Sequence, residues 1–278
     1  MDSLSKFSKF VDEVSFDAVM DYSQVSLKDV SYFATALQGM DEVIKLEAVV
    51  TDRVKDLKIS NLKVDIREKT TLQGNFVLPD FRNLKEEEIS EEITYAYIDL
   101  NEINNIKLPS KDEEKFLNLN ELVSRFEYAQ IDRVTASGTT DNLFINLRQL
   151  KTGIGDIQID HKINLFRKNE HTMAFREIHK DELPISIDKF DLGKLLDQKQ
   201  LGIIDGNIHL DGEFSTKTGI ALENIQGHFN RFDYNNYSYS HISLKDVSYK
   251  QKTINVNIDI NDPNIDLELD GKIDLNQE

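Results

Sequence analysis

The side chains of this 278-residue chain best suited to chemistry are its six histidines and fifty acids. The histidines are His161, His171, His179, His209, His228 and His241. None shows the H-x-x-x-H or H-E-x-x-H spacing that puts two imidazoles on one helix face around zinc. The chain has no cysteine, so disulfides and thiolate chemistry are excluded. A zinc site would have to be assembled by the fold alone. The histidines therefore read as solvated loop and strand residues, and no metal is expected. Asp259-Ile-Asn261-Asp262-Pro-Asn264-Ile-Asp266 offers the hard oxygen ligands that calcium prefers. It lacks the EF-hand order, and its Pro-Asn pair fits a hairpin turn. A glycosidase needs two carboxylates at a set separation, but a chain this acidic makes such pairs unavoidable. Asp99 and Asp233 lie beside aromatics, as any acid on a tyrosine-rich strand would. Gly-x-Ser-x-Gly, P-loop and dinucleotide fingerprints are all missing. The expectation is no catalytic residue, no cofactor and no enzyme.

Charge narrows the partners. Thirty-three basic against fifty acidic residues leave a net charge of −17, with a pI near 4.8. That excludes nucleic acid, whose phosphates call for a basic surface, and docking on anionic headgroups through a polybasic patch. No apolar stretch is long enough to span a bilayer as a helix, and Met1–Phe10 has no signal-peptide h-region. The sequence stops at Asp274-Leu-Asn-Gln-Glu278, just after a strand-like run. It reads as one continuous β-rich segment over 1–278, an internal piece of a longer anchored chain. Any membrane contact would then lie outside it.

The elements that must position these groups are strands. Ile204, Gly206, Ile208, Leu210, Gly212 and Phe214 alternate with polar residues, as do Ile254, Val256, Ile258 and Ile260. Ile265, Leu267, Leu269, Gly271 and Ile273 repeat the pattern. A spacing of two puts all of them on one face of a strand, with Asn, Asp and Glu on the other. The sheet thus has one oily and one wet face, the mark of antiparallel pairing. Similar runs cover Ile44–Val50, Leu57–Ile66 (with a phase slip at Ser60-Asn61 that predicts a turn or bulge), Leu72–Leu78, Leu143–Leu147, Ile157–Leu165 and Ile225–Tyr239. Asp262-Pro-Asn264 predicts a turn between two strands. Helical signal is short: Leu27–Leu37, about two turns with Asp29 as cap, then Asn101–Ile106, Asn118–Arg125 and Asp191–Asp197. The acidic run Lys85–Glu92 reads as a solvated loop or helix end. The heptapeptide Ser-Leu-Lys-Asp-Val-Ser-Tyr occurs twice, at 26–32 and 243–249. Its flanks predict helix for the first copy and strand for the second.

One succession of segments resembles a known family. Phe190-Asp-Leu-Gly-Lys-Leu-Leu-Asp-Gln-Lys-Gln-Leu-Gly202 is followed by the strand at 206–212. Then come Gly227-His-Phe-Asn-Arg-Phe-Asp-Tyr, Tyr237-Ser-Tyr-Ser-His-Ile and Asn261-Asp-Pro-Asn-Ile. Upstream, Ser26–Phe33, Leu57–Val64, Thr71–Pro79 and Lys151–Ile157 fall in the same order. From about residue 20 onward the chain is similar to the TamB family (translocation and assembly module, AsmA-like), in its long Bacteroidota form. Val134–Thr139 departs from the glycine-rich turn expected there.

The resemblance implies an all-β, elongated antiparallel sheet curled into a groove or open barrel (a β-taco) crossed by a few short helices. It implies a periplasmic protein, anchored in the inner membrane, that carries phospholipid toward the outer membrane along an apolar groove. It also implies, as an alternative, a scaffold that assists β-barrel assembly with an Omp85-type partner by β-augmentation. The residues expected to line the groove and meet the acyl chains are Ile204, Ile208, Leu210, Phe214, Ile225, Phe229, Phe232, Ile254, Val256, Ile258, Ile260, Ile265, Leu267, Leu269 and Ile273. Tyr239 is expected to pack at the rim with its hydroxyl wet.

Overall fold

The computed structural model describes residues 10–32, 38–78, 88–110, 115–117, 119, 121–178, 184–215, 217–251 and 253–274. The chain divides into two compact units, Met1–Thr140 and Asp141–Glu278. Both are antiparallel β-structure. Among the described residues no helix is long and apolar enough to cross a membrane.

The first unit contains β1 (Ser15–Ser26), β2 (Val43–Arg53), β3 (Leu57–Ile66), β4 (Thr70–Leu78) and β5 (Ile89–Asp99). They are joined by β8 (Tyr128–Ile131) and β9 (Val134–Thr139), with β6 (Lys107–Leu108) and β7 (Lys115–Phe116) as a separate pair. Each long strand pairs with its neighbour in sequence, and β8 and β9 lie end to end along β5. Residues opposite each other in such ladders point to the same face. Met20 faces Ala48, Val50 faces Ile59, Ile59 faces Phe76, and Leu72 faces Ala96. These positions make one apolar face.

The second unit contains β10 (Asn142–Leu147), β11 (Gln149–Thr152), β12 (Gly155–Gln158), β13 (Lys162–Asn169), β14 (Thr172–Glu177) and β15 (Ile185–Asp191). Then come β16 (Leu201–Ser215), β17 (Gly219–Tyr234), β18 (Tyr237–Tyr239), β19 (Ile242–Lys250), β20 (Thr253–Asp262) and β21 (Ile265–Asp274). The short strands lie end to end in pairs, so β14 and β15 both line one edge of β16. The pairing then runs β16, β17, β19, β20, β21.

A row of irregularities crosses each unit at mid-strand. In the first it passes between Met20 and Ser23, between Ile59 and Leu62, and between Gln73 and Gly74 of the β4–β5 ladder. In the second it passes between His209 and Asp211 on β16, between Leu222 and Ile225 on β17, and between Leu244 and Ser248 on β19. Asn61 and Asn224 take the left-handed conformation, φ 53° each, which asparagine tolerates better than most residues. An extra residue bends its strand and increases its twist. It also restores the apolar face when the alternation changes phase, which is what the slip at Ser60-Asn61 records.

Three strands end in the same way. Ser26, Asp99 and Asp191 each close a strand and cap a one-turn helix: α2 (Leu27–Val30), α3 (Leu100–Ile103) and α5 (Leu192–Leu196). A cap side chain satisfies one of the N–H groups that a helix start leaves unpaired. The remaining helices, α1 (Phe10–Glu13) and α4 (Glu121–Ser124), are equally short.

Several expectations are corrected. The cap at Leu27 is Ser26 rather than Asp29, and the helix is one turn; residues 33–37 lie outside the described ones. Ile157–Leu165 is not one run: it breaks between Gln158 and Lys162. Ile89–Glu92 opens β5 instead of extending an acidic loop, and residues 79–87 lie outside the described ones. Val134–Thr139 is a strand.

Candidate functional site

The register of the second unit brings the expected lining residues onto one face. Ile204 lies opposite Phe232, Phe214 opposite Ile220, and Gly206 opposite Phe229. Phe229 lies opposite Ile242 and Ile225 opposite Val247. Ile242 continues to Ile260, and Tyr249 to Ile254. Ile254, Ile258 and Ile260 then meet Ile273, Leu269 and Leu267, while Asp262 meets Ile265. Ile208 and Leu210 share the parity of Gly212 on β16. Tyr239 faces Phe232 and so belongs to this face as well.

Exposure divides the set. Ile204 and Val256 are buried. Ile208, Leu210, Ile225, Phe229, Phe232, Ile254, Ile258, Ile260 and Ile265 are half-buried. Phe214, Leu267, Leu269 and Ile273 remain 48, 41, 44 and 46% exposed. Apolar side chains kept this open on a shared face mark a surface suited to an apolar partner. Glycines let aromatic rings lie flat along it: a Cβ on Gly212 would meet the Phe175 ring at 2.4 Å, and one on Gly206 the Phe229 ring at 2.5 Å. Phe175 in turn packs on Phe214 with ring centroids 5.6 Å apart, and Phe232 stacks on Tyr234 at 6.5 Å.

Glu91 and Glu177 set carboxylates among the apolar faces, and neither was legible as a site in the sequence. In the first unit Glu91 lies opposite Ala136 on the apolar side. Burial pushes its carboxyl above the usual carboxylate range, against a hydrogen bond from the Val77 amide at 3.2 Å. In the second unit Glu177 lies opposite Ile163 and is 5% exposed. On β16 the ladder with β14 ends at Gly212 and the ladder with β15 starts at Ile208. Between them the Leu210 amide donates to Glu177 Oε1 at 2.7 Å. The carboxylate thus replaces a missing strand carbonyl. His209 Nδ1 lies 2.6 Å from Glu177 Oε2, and His161 Nε2 lies 3.1 Å from the same oxygen.

This corrects the reading of the histidines as solvated. His161 is 3% exposed, with neither ring nitrogen in a hydrogen bond. His171 and His241 are exposed, as expected; His179 lies outside the described residues. Among the described residues no group of three or more His, Asp or Glu side chains is arranged to hold a metal ion.

The Asp259–Asp266 string is the end of β20, a turn at Pro263-Asn264 and the start of β21, as its Pro-Asn pair implies. Asp262 is spent on structure. It accepts the Tyr237 hydroxyl at 2.7 Å, the Ser240 amide at 2.9 Å and the Asn264 amide at 3.0 Å. The Tyr237 hydrogen bond leads the causes that hold its carboxyl down at about 2.

The chain matches no protein-family model, no curated protein and no solved structure.

Proposed function

We propose that the apolar sheet face of this chain is a path for phospholipid acyl chains. The chain would be a TamB-like segment of a periplasmic protein anchored in the inner membrane, moving lipid toward the outer membrane without catalysis. The observation that supports it is the shared face of the expected lining residues, four of which stay at least 41% exposed. Each CH₂ removed from water there contributes roughly 0.8 kcal/mol, so a lining of Ile, Leu, Val and Phe needs no polar anchor to hold a chain. The row of bulges supports a curled sheet, because bends aligned across neighbouring strands turn a flat face into a trough. The acids on the opposite face, Asp266, Glu268, Asp270 and Asp274 of β21 among them, keep that side in water.

The test is photo-crosslinking in cells that make the natural polypeptide. A crosslinker at Ile258 or Phe229 is expected to capture phospholipid, while one at Asn257 or Asp259 captures none. Protein adducts without lipid at all four positions would end the lipid reading.

A second reading, a scaffold for β-barrel assembly with an Omp85-type partner, draws on a different feature. Among the described residues β21 pairs only with β20, and β1 only with β2. A bulge-free edge such as that of β21 is a template for an added strand. Crosslinks to a protein strand from Glu268 or Asp270, lost when proline replaces either residue, would favour it.

A further inference from the structure

The apolar face of the second unit does not end in water on an apolar note. Its last row, read across four strands, is Arg167, Met173, Phe214 and Ile220. The guanidinium of Arg167 is thus in register with three apolar side chains, of which Phe214 and Ile220 are 48 and 43% exposed. A hollow of about 380 Å³ opens at this row, lined by Arg167, Met173 and Phe214 together with Glu170 and His171 of the β13–β14 turn. That volume is within the range of small-molecule sites.

We propose that this hollow seats the headgroup of a zwitterionic phospholipid with a primary amine, its phosphate on Arg167 and its ammonium on Glu170. The proposal rests on the reading that the adjoining face takes acyl chains. The charges decide the head. Arg167 already meets Asp141 through Nε at 2.9 Å. A guanidinium carries five N–H donors in a planar fork, so donors remain for a phosphate. Asp141 pairs with that one cation, and the exposed Glu170 lines the same hollow, so two carboxylates share its surroundings. A head with only negative charge would meet both carboxylates, and one with only positive charge would meet Arg167. A head carrying both charges is complementary to both. The ammonium of an ethanolamine head donates hydrogen bonds to a carboxylate; a quaternary choline has none to donate and takes an aromatic cage instead. The hollow's only rings are Phe214 and the His171 imidazole, too few for a cage.

The test uses the purified chain and titration calorimetry with three soluble probes: dihexanoyl phosphatidylethanolamine, dihexanoyl phosphatidylglycerol and phosphoethanolamine. The ethanolamine lipid is expected to bind best and free phosphoethanolamine to bind least. Arg167→Ala should weaken the ethanolamine lipid about tenfold, the scale of one charge-assisted contact, with Arg167→Lys intermediate. Glu170→Gln should erase the preference over the glycerol lipid, weakening the ethanolamine lipid while the glycerol lipid, relieved of one carboxylate, binds no worse than before. Lipid binding that neither Arg167→Ala nor Glu170→Gln alters would overturn the headgroup seat and leave the acyl path standing. No binding of either lipid would overturn both. Phosphoethanolamine binding as tightly as the lipid would make the hollow a phosphate-ester site and overturn the lipid assignment.

Discussion

Residues 26–32 and 243–249 are the same seven amino acids in two structures. In the first copy Ser26 ends β1, and its hydroxyl accepts the Asp29 amide at 3.3 Å, starting α2. In the second, all seven residues lie within β19. The surroundings account for the difference. Among the described residues β1 pairs with β2 alone, and that ladder ends at the Ser26–Val43 pair. Beyond that point the Leu27 amide still reaches Glu42 O, but the ladder has ended and the chain makes its next bond by turning, from the Ser31 amide to Leu27 O at 2.9 Å. β19 is flanked on both sides, by β17 and β20. Leu244 sits between Gly227 and Ile258, and Tyr249 between Leu222 and Ile254. Two sets of ladder bonds and a shared apolar face outweigh the weak helical preference of seven residues. A local sequence here takes its structure from the number of neighbours it is given.

Proline should separate the copies most sharply. Leu244→Pro removes a ladder donor and a half-buried side chain from an interior strand, and should cost about 3 kcal/mol. Leu27→Pro falls at the first helical position, where proline is tolerated. It loses the bond from the Leu27 amide to Glu42 O, 2.9 Å long, and part of a half-buried side chain, but no ladder bond, and should cost about 1 kcal/mol. Guanidinium-unfolding midpoints of the two variants would settle the ratio; equal losses would refute the account.

The second copy is also pinned just ahead of its start, where Asp262 holds Ser240. Its folded value of about 2 lies below the ordinary 3.8. Its contribution is therefore complete above about pH 4 and is lost as the pH falls toward 2. Asp262→Asn should lower the urea midpoint at neutral pH, and the gap to the wild type should close across that acidic window.

Caps give a smaller contrast in the opposite direction. Ser26→Ala removes a helix cap and should cost about 1 kcal/mol. Ser243→Ala lies on a strand and should stay within about 0.5 kcal/mol. Smallest of all, Lys245→Ala loses exposed ion pairs to Asp259 at 2.6 Å and Glu268 at 3.3 Å. It should shift the midpoint barely above that of Lys28→Ala, and added salt should erase the difference.

Both structures of the heptapeptide were readable from its flanks, and so was the apolar face, because a period of two survives without knowledge of the partners. The bulge at Asn61 was readable because the phase changes there. The break between Gln158 and Lys162 was not, since Ile157, Ile159, His161 and Ile163 keep one phase straight through it. The meeting of His161, Glu177 and His209 could not be read either. It depends on where β14 and β15 stop along β16, and no spacing within one strand encodes that. Arg167 carries no signal of its own in the sequence, and only its register with Met173 and Phe214 makes it part of the face.

The row of bulges has a consequence for how a chain of this kind varies in length. A residue gained or lost at a hairpin tip leaves every face as it was. Loss of Asn224 would carry Ile225, Gly227 and Phe229 to the wet side and bring Gln226 and His228 to the oily one, because a shift of one reverses a strand. Insertions and deletions are therefore expected at the tips, and the line through Asn61 in one unit and Asn224 in the other is where the sequence has to count.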